Sequence, residues 1–290
     1  MTSQAYSPLI ACTRMYNAAP SVMEAWRVLT EAASRISGVP LETIAHPYPN
    51  DIEDLWNRPD IGLVFMCGRA FMLAGAKHIP IAVPLRTGQG GGPFYHSELL
   101  VREESPYHCL EDSFGHRLGW TVHHSHSGFI AIREHLASYA RKNTAEHFSS
   151  LYAEEVGPLH TPARCIAALR EKEADVVPLD AYYAELLRRN MPDALQGIRS
   201  IDVTRSYPMP LLVAAPTVPL GTCDALRQGL FEACDSPECR KALDALCISG
   251  FGEPDIALYE TLINAEKTNA PCNNTAKIPQ SVKQSERSVA

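Results

Sequence analysis

The stretch that most constrains this chain is GWTVHHSHSGFIAIREHL, residues 119–136, in which a strand passes directly into a helix. Residues 120–122 have strand character, and from Phe129 onward apolar residues recur at helical spacing. The four residues between them, SHSG at 125–128, therefore open the helix. Helix starts carry N–H groups without intrahelical partners and the positive end of the helix dipole. Two hydroxyls and a glycine at this helix start, with no carboxylate nearby, predict a binding site for an anion, called here the anion seat.

The same segment has an alternative interpretation as a plain helix cap. Serine is favoured at helix starts because its side-chain oxygen accepts a backbone hydrogen bond, and Ser127 is placed for that role. The reciprocal capping box is incomplete, since the residue three positions on is Ile130 instead of Glu or Gln. These residues alone do not decide between a helix cap and an anion-binding site.

Strands and helices alternate over much of the chain. Short apolar runs predict strands at residues 8–12, 41–45, 61–66 and 174–179. Capping-box spacing of a serine and a glutamate, at positions 21 and 24, predicts the start of a helix that Gly38 ends. Alternation of buried strands with helices favours parallel pairing with both sheet faces covered, so the predicted fold class is α/β.

The charge balance and hydropathy exclude several classes of partner. With 290 residues and a net charge of -7, the chain is unsuited to nucleic acid or an anionic membrane as its main partner. No apolar run approaches the roughly 20 residues that span a bilayer. Residues 1–16 lack the basic and apolar regions of a signal peptide, which predicts a cytoplasmic protein. A chain whose leader has been removed shows the same pattern and would be periplasmic.

The sequence predicts neither a metal nor a cofactor. The nine cysteines are odd in number and scattered, which favours a reducing compartment, and no C-x-x-C pair indicates zinc. A metal site at His124 and His126 is an alternative, but no acidic or cysteine partner stands beside them. The glycine-rich residues 87–93 lack the order of a dinucleotide fingerprint and predict a surface loop.

Further motifs follow one another in a recognisable order between about residues 8 and 263. They are LVFMCG at 63–68, YHS at 95–97, VREES at 101–105, LEDSFGHRLG at 110–119, SHSG at 125–128, His160, and ADVV at 174–177. With these motifs in this order, the chain resembles the substrate-binding proteins of phosphonate and phosphate ABC transporters, the PhnD-like group of the type II periplasmic binding proteins.

The resemblance implies two α/β lobes joined by two crossovers, with a ligand cleft between the lobes. Lobe one would comprise residues 1–96 plus 205–266, and lobe two residues 97–204. Closure of the lobes around a ligand is the expected motion. Residues 267–290 are polar and predict a disordered tail.

The resemblance also implies a ligand site. A serine-rich helix start and a histidine from the next strand–helix junction would hold the phosphonate oxygens, tyrosines would line the pocket, and a carboxylate would receive an amine. The ligand-binding residues carried over are Tyr16, Tyr95, Ser97, Ser125, His126, Ser127, His160 and Asp180. A second carboxylate expected for an amine-bearing ligand is missing from residues 205–215, so 2-aminoethylphosphonate is not the favoured ligand.

Two functions from different classes follow. The first is a transporter-type solute-binding protein for a small oxyanion, namely phosphate, phosphite, a phosphonate or a phosphate ester. An ABC transporter permease would be its partner, and the family expectation is a monomer. The second is a cytoplasmic enzyme on the same fold, of the menaquinone- or thiamin-precursor type, with His123, His124, His126 and His160 as acid or base groups. No nucleophile–base pair has diagnostic spacing, so no catalytic residue is assigned.

Overall fold

Strand and helix alternate over the first third of the chain, as the sequence predicts. The computed structural model describes residues 7–88, 91–142 and 151–269. The first elements are β1 (Leu9–Cys12), α1 (Pro20–Ser37), β2 (Leu41–Thr43), α2 (Ile52–Trp56), β3 (Ile61–Met66), α3 (Gly68–Leu73) and β4 (Ile79–Arg86). Every residue of β3 is buried, which is the pattern of a strand covered on both faces.

The middle of the chain builds a second, smaller sheet. This middle part of the chain contains β5 (Phe94–Tyr95), β6 (Ser97–Arg102), β7 (Arg117–Gly119), α4 (Ala131–Lys142), β8 (Glu154–Val156), α5 (Pro162–Arg170), β9 (Val177–Asp180), α6 (Ala181–Asn190) and β10 (Ile198–Val203). The smaller sheet itself consists of β10, β6 and β9. β6 lies between β10 and β9 and runs antiparallel to both. Leu99 and Val101 of β6 pack with Leu118, Ile132 and Leu136 in a separate hydrophobic cluster.

The last third of the chain returns to the larger sheet. It contributes β11 (Tyr207–Pro208), β12 (Leu211–Ala214), α7 (Leu220–Asp235), α8 (Arg240–Ala245), β13 (Ile248–Gly252) and α9 (Ile256–Asn269). The larger sheet has the order β13-β4-β12-β3-β1-β2. β1 is parallel to β2 and β3, as predicted, whereas β12 is antiparallel to β3 and β4. The predicted parallel pairing is wrong at β12, because the chain enters this strand on its return from the second sheet and not through a helical crossover.

Two short strands connect the sheets. β5 pairs antiparallel with β11, so the chain leaves the larger sheet and returns to it side by side. The larger sheet takes its strands from both ends of the chain, and the smaller one from the middle. We propose that the lobes predicted from the sequence, residues 1–96 plus 205–266 and residues 97–204, are the units that move about these strands.

The first long helix starts differently from the sequence prediction. α1 begins at Pro20, its N-cap is Ala19, and no side chain caps it. Proline is favoured in the first helical turn because its fixed φ and missing N–H cost nothing there. Ser21 lies inside the helix and its hydroxyl donates to Oδ1 of Asn190 at 3.0 Å, while Glu24 pairs with an arginine one turn on. The predicted capping box is therefore wrong.

The last helix takes up the start of the predicted tail. α9 extends to Asn269, so three residues of the segment expected to be disordered are helical. The rest of that prediction, for residues 270–290, lies outside the described residues. Within the described ranges, no helix combines the length and apolar character that a membrane crossing requires.

Candidate ligand-binding cleft

A cavity of about 770 Å³ is lined by residues of both halves of the fold. Its wall comes from segments that follow the carboxyl ends of β1, β2, β7, β8 and β9. Ligands of open α/β sheets bind in the crevice beyond those strand ends. The main segments of the wall are residues 14–17, 47–52, 121–125, 160–163 and 178–180.

The SHSG turn lies in this wall at the start of α4. Ser125 is the helix cap, because its Oγ accepts the N–H of Gly128 at 3.0 Å. The first turn is π-helical, and the N–H of Ile130 donates to the carbonyl of Ser125 at 3.3 Å. Gly128 is required there, since a Cβ would lie 2.0 Å from Oγ1 of Thr121. The cap is thus two residues earlier than the one considered at Ser127, whose hydroxyl is not used for capping.

Ser127 and Tyr95 meet at the deep end of the cavity. Tyr95 is only 2% exposed. Burial raises the pKa of its phenol, and a side-chain hydrogen bond with Ser127 acts weakly in the opposite direction. Cys67 is also part of this wall, and burial raises the pKa of its thiol. The deep end therefore presents neutral hydroxyl groups that can donate hydrogen bonds.

Asp180 connects the two sides of the cavity. Its Oδ1 accepts the N–H groups of Tyr182 and Tyr183 at 2.9 and 3.1 Å, which caps α6. Its Oδ2 accepts the hydroxyl of Tyr16 at 3.3 Å. Burial raises the pKa of the Asp180 carboxyl to about 6 despite these hydrogen bonds. The carboxyl therefore titrates much closer to neutral pH than an exposed aspartate does.

His160 lies in the wall beside the start of α5. It is exposed, and its φ of 64° is in the left-handed region that non-glycine residues seldom adopt. Its ring lies 5.1 Å from the ring of Tyr48, which belongs to the opposite side of the cavity. The next residue, Thr161, caps α5 by accepting the N–H of Arg164 at 3.1 Å. The first residues of α5 thus line the same cavity as the first residues of the helix that leads into α4.

His124 makes a further contact across the cavity. Its Nδ1 lies 3.4 Å from Oε1 of Glu53, and its ring lies 5.7 Å from the ring of Trp56. Burial lowers the pKa of its imidazole, although the charge of Glu53 acts in the other direction. The two sides of the cavity are therefore already in contact at several points.

Two of the predicted site residues are not part of the cavity wall. Ser97 is 1% exposed, and its Oγ donates to the carbonyl of Ser127 at 2.8 Å, so it supports the turn from behind. His126 is also 1% exposed, and its ring packs against Tyr207 with centroids 4.3 Å apart. Burial, together with the charges of Arg205 and Arg69, lowers the pKa of His126 to about 3, so its ring is neutral. We leave both residues out of the proposed ligand set.

The structure adds residues to the site that the sequence prediction missed. Arg14 lies in the wall, and its Nη1 donates to the carbonyl of Asn50 at 2.7 Å. Tyr48 and Trp56 belong to the segment after β2. The rule that ligands meet the carboxyl ends of strands would have pointed to both loops.

The described residues hold no group of three or more His, Cys, Asp or Glu side chains arranged to bind a metal ion. His124 is in the cavity wall while His126 is buried against Tyr207. The two histidines are therefore not arranged as a chelating pair.

Solved structures that are similar to this chain include binding proteins of phosphonate transporters. The binding protein component of an ABC phosphonate transporter from Pseudomonas aeruginosa has a TM-score of 0.72 at 17% identity, over 93% of this chain and 92% of that one. PhnD1 from Prochlorococcus marinus, in complex with methylphosphonate, has a TM-score of 0.71 at 15% identity, over 90% of this chain and 97% of that one. A Xanthomonas citri protein bound to ATP has a TM-score of 0.61 at 19% identity, over 91% and 98%. The fold is that of a type II periplasmic binding protein.

The family follows from the sequence match. Residues 15–259 match the family described as ABC transporter, phosphonate, periplasmic substrate-binding protein. This span covers most of the chain, and the chain belongs to that family. The resemblance and the fold class predicted from the sequence are confirmed. Among curated proteins, no sequence matches the chain.

Proposed function

We propose that the cavity binds a small oxyanion, namely phosphate, phosphite, a phosphonate or a phosphate ester, as the ligand of a transporter-type solute-binding protein. The observation that carries the proposal is the convergence of two helix starts, those of α4 and α5, on one cavity. Each helix start places the positive end of a helix dipole at the cavity, which favours an anion. Ser127 and Tyr95 add hydroxyl donors at the deep end.

The proposed ligand residues are those that the sequence predicted and that lie in the cavity wall. They are Tyr16, Tyr95, Ser125, Ser127, His160 and Asp180. Arg14 joins them as a permanent positive charge in the same wall. Asp180 can accept a hydrogen bond from a protonated ligand oxygen, which would favour phosphate or a phosphonate over sulfate.

The relatives support this class of ligand. The Prochlorococcus protein is in complex with methylphosphonate, and the Xanthomonas protein is bound to ATP, a phosphate ester. Family membership supports an ABC transporter permease as partner and the periplasm as the place of work. We propose that the permease recognises the lobes after they close on the ligand, which is the motion expected of such proteins.

A thermal-shift titration tests the proposal. Purified protein is titrated with phosphate, phosphite, methylphosphonate and sulfate, and the titration is repeated with Ser127→Ala. A ligand at 100 times its dissociation constant stabilises the folded state by about 2.7 kcal/mol, a rise in Tm of about 5–10 °C. Loss of one hydrogen bond to a charged group weakens binding by about tenfold or more.

The matched control is Ser200→Ala, which removes an exposed serine of β10 that is not part of the cavity wall. This variant should bind as the unmodified protein does. Phosphorus NMR of the ligand recovered after binding should show it unchanged, as expected of binding without turnover. If no oxyanion shifts Tm, the proposed function is wrong; if Ser127→Ala binds as tightly as the unmodified protein, the proposed anion-binding role of Ser127 is wrong.

A further inference from the structure

The cavity has a deep end and an open mouth with different chemistry. Tyr95, beside Ser127, is 2% exposed and lies next to the strands that connect the two sheets. Tyr48, on the loop after β2, is 53% exposed. Ser127 and Tyr48 line the same cavity, so a ligand that occupies both positions would place its charged group at Ser127 and another group beside Tyr48.

The volume of the cavity exceeds what a bare oxyanion fills. A water molecule takes up about 30 Å³ in the liquid, so an ion of five non-hydrogen atoms takes up roughly 150 Å³ at that density. The cavity holds about 770 Å³, although Tyr16, His124 and Tyr48 already contact the opposite side. Cavities of roughly 300–1,000 Å³ are typical of sites for whole organic molecules.

Two exposed aromatic rings, those of Tyr48 and His160, lie at the mouth. Tyr48 and His160 lie with ring centroids 5.1 Å apart and planes 34° apart, one from each side of the cavity. Trp56 and His124 make a second contact between the two sides, at 5.7 Å and 74°, but Trp56 is only 5% exposed. Tyr48 and His160 are therefore the aromatic groups available to a ligand at the mouth, and such groups favour stacking or edge contacts with another ring.

The loop that carries Tyr48 is held by hydrogen bonds within the protein. Nε2 of His46 lies 2.7 Å from the carbonyl of Asp51, and the N–H of Asn50 donates to the carbonyl of Pro47 at 3.0 Å. Arg14 donates to the carbonyl of Asn50 at 2.7 Å. A loop held by such hydrogen bonds loses little conformational entropy when its side chain contacts a ligand.

We propose that the mouth is an aromatic subsite, and that the ligand is a phosphate or phosphonate monoester whose flat ring packs against Tyr48 while its oxyanion reaches Ser127. This inference rests on the proposed function, because it assigns the oxyanion to the deep end. It adds the chemical class of the group attached to the oxyanion.

Calorimetric titrations with phenyl phosphate, glycerol phosphate and methylphosphonate test the subsite. The unmodified protein should bind phenyl phosphate about tenfold more tightly than the other two, because only this probe places a ring at the mouth. Tyr48→Ala should remove that advantage, weakening phenyl phosphate about tenfold more than methylphosphonate. Tyr48→Phe, which keeps the ring, should retain it. Thermal melts of both variants verify that they fold.

The outcomes separate the two proposals. Equal binding of all three probes, or an equal loss for all of them in Tyr48→Ala, overturns the aromatic subsite and leaves the oxyanion function standing. If Ser127→Ala does not weaken phenyl phosphate while Tyr48→Ala does, the ring site stands and the proposed anion seat fails. If the unmodified protein binds none of the probes, both proposals fail.

Discussion

Replacement of Asp180 by asparagine isolates the charge of the carboxyl at the centre of the cleft. Asparagine keeps a side-chain oxygen for the N–H groups of Tyr182 and Tyr183, and its amide can still hydrogen-bond to Tyr16. The variant therefore removes the negative charge while it conserves the cap of α6. Any change in stability that depends on pH then reports on the ionisation of Asp180.

The size of the effect follows from the pKa. Burial raises the pKa of Asp180 from 3.8 to about 6. This difference of about 2 units corresponds to roughly 3 kcal/mol. Well below pH 3.8 the carboxyl is protonated in both folded and unfolded states, so it contributes no penalty. Between pH 3.8 and 6 the unfolded chain loses this proton while the folded chain keeps it, so stability falls across this range and levels off once the folded carboxyl has ionised above pH 6. The free energy of unfolding of Asp180→Asn should therefore exceed that of the unmodified protein by about 3 kcal/mol at pH 8. At pH 3.5 the two free energies should differ little.

Urea unfolding at pH values from 3.5 to 8 measures the effect. The matched control is Asp175→Asn, at a carboxylate outside the cavity wall. Burial acts to raise the pKa of Asp175, but hydrogen bonds from Arg117 and Arg102 outweigh it and hold the pKa at about 2. At neutral pH the free energy of unfolding of this control should lie roughly 2 kcal/mol below that of the unmodified protein. The difference should disappear only as the pH falls toward 2. If the two Asp180 curves run parallel from pH 4 to 7, the burial argument for this carboxyl is refuted.

Two further predictions concern packing and a buried ion pair. Gly128→Ala would place a Cβ 2.0 Å from Oγ1 of Thr121, so it should lower the free energy of unfolding in urea by about 1–3 kcal/mol. The control Gly221→Ala has open space around it and should raise that free energy by up to about 1 kcal/mol; equal effects of the two variants would contradict the reasoning. Arg86 lies 2.8 Å from Glu185 in a largely buried pair, so Arg86→Met should lower the free energy of unfolding by about 3–5 kcal/mol. The double variant with Glu185→Leu should recover much of this loss; an additive loss would show that the pair is not coupled.

Local sequence patterns predicted some elements of the fold and missed others: residues 120–122, expected to be a strand, follow β7 outside any strand. The apolar run at 61–66 corresponds to β3 residue for residue, because a strand covered on both faces needs no alternation. Gly38 ends α1 in the left-handed conformation, with a φ of 70°, as a glycine at that position predicts. The antiparallel entry of β12 was beyond such patterns, since it depends on the route of the chain through a second sheet.

The site shows the same division. Ser125 and Ser127 could be proposed from the sequence because they stand at a helix start that neighbouring residues reveal, whereas His160 was implied by the family resemblance. His126 stands between the two serines, but in the folded chain its side chain packs against Tyr207. Adjacent residues of one turn point in different directions, and only the packing around the turn decides which of them meets the cavity.

The sequence by itself determined several strands, among them β1 and β3, and the helix that follows SHSG, because these depend on residues close together in the chain; the order of its motifs determined the family. The tertiary structure alone decided that Tyr48 would stand opposite His160 and that the half-buried Asp180 would hydrogen-bond to Tyr16. These pairs are more than 100 residues apart in sequence. Desolvation and ring contact depend on what the fold brings together, and so the pKa of Asp180 and the chemistry of the cavity mouth have no local signal.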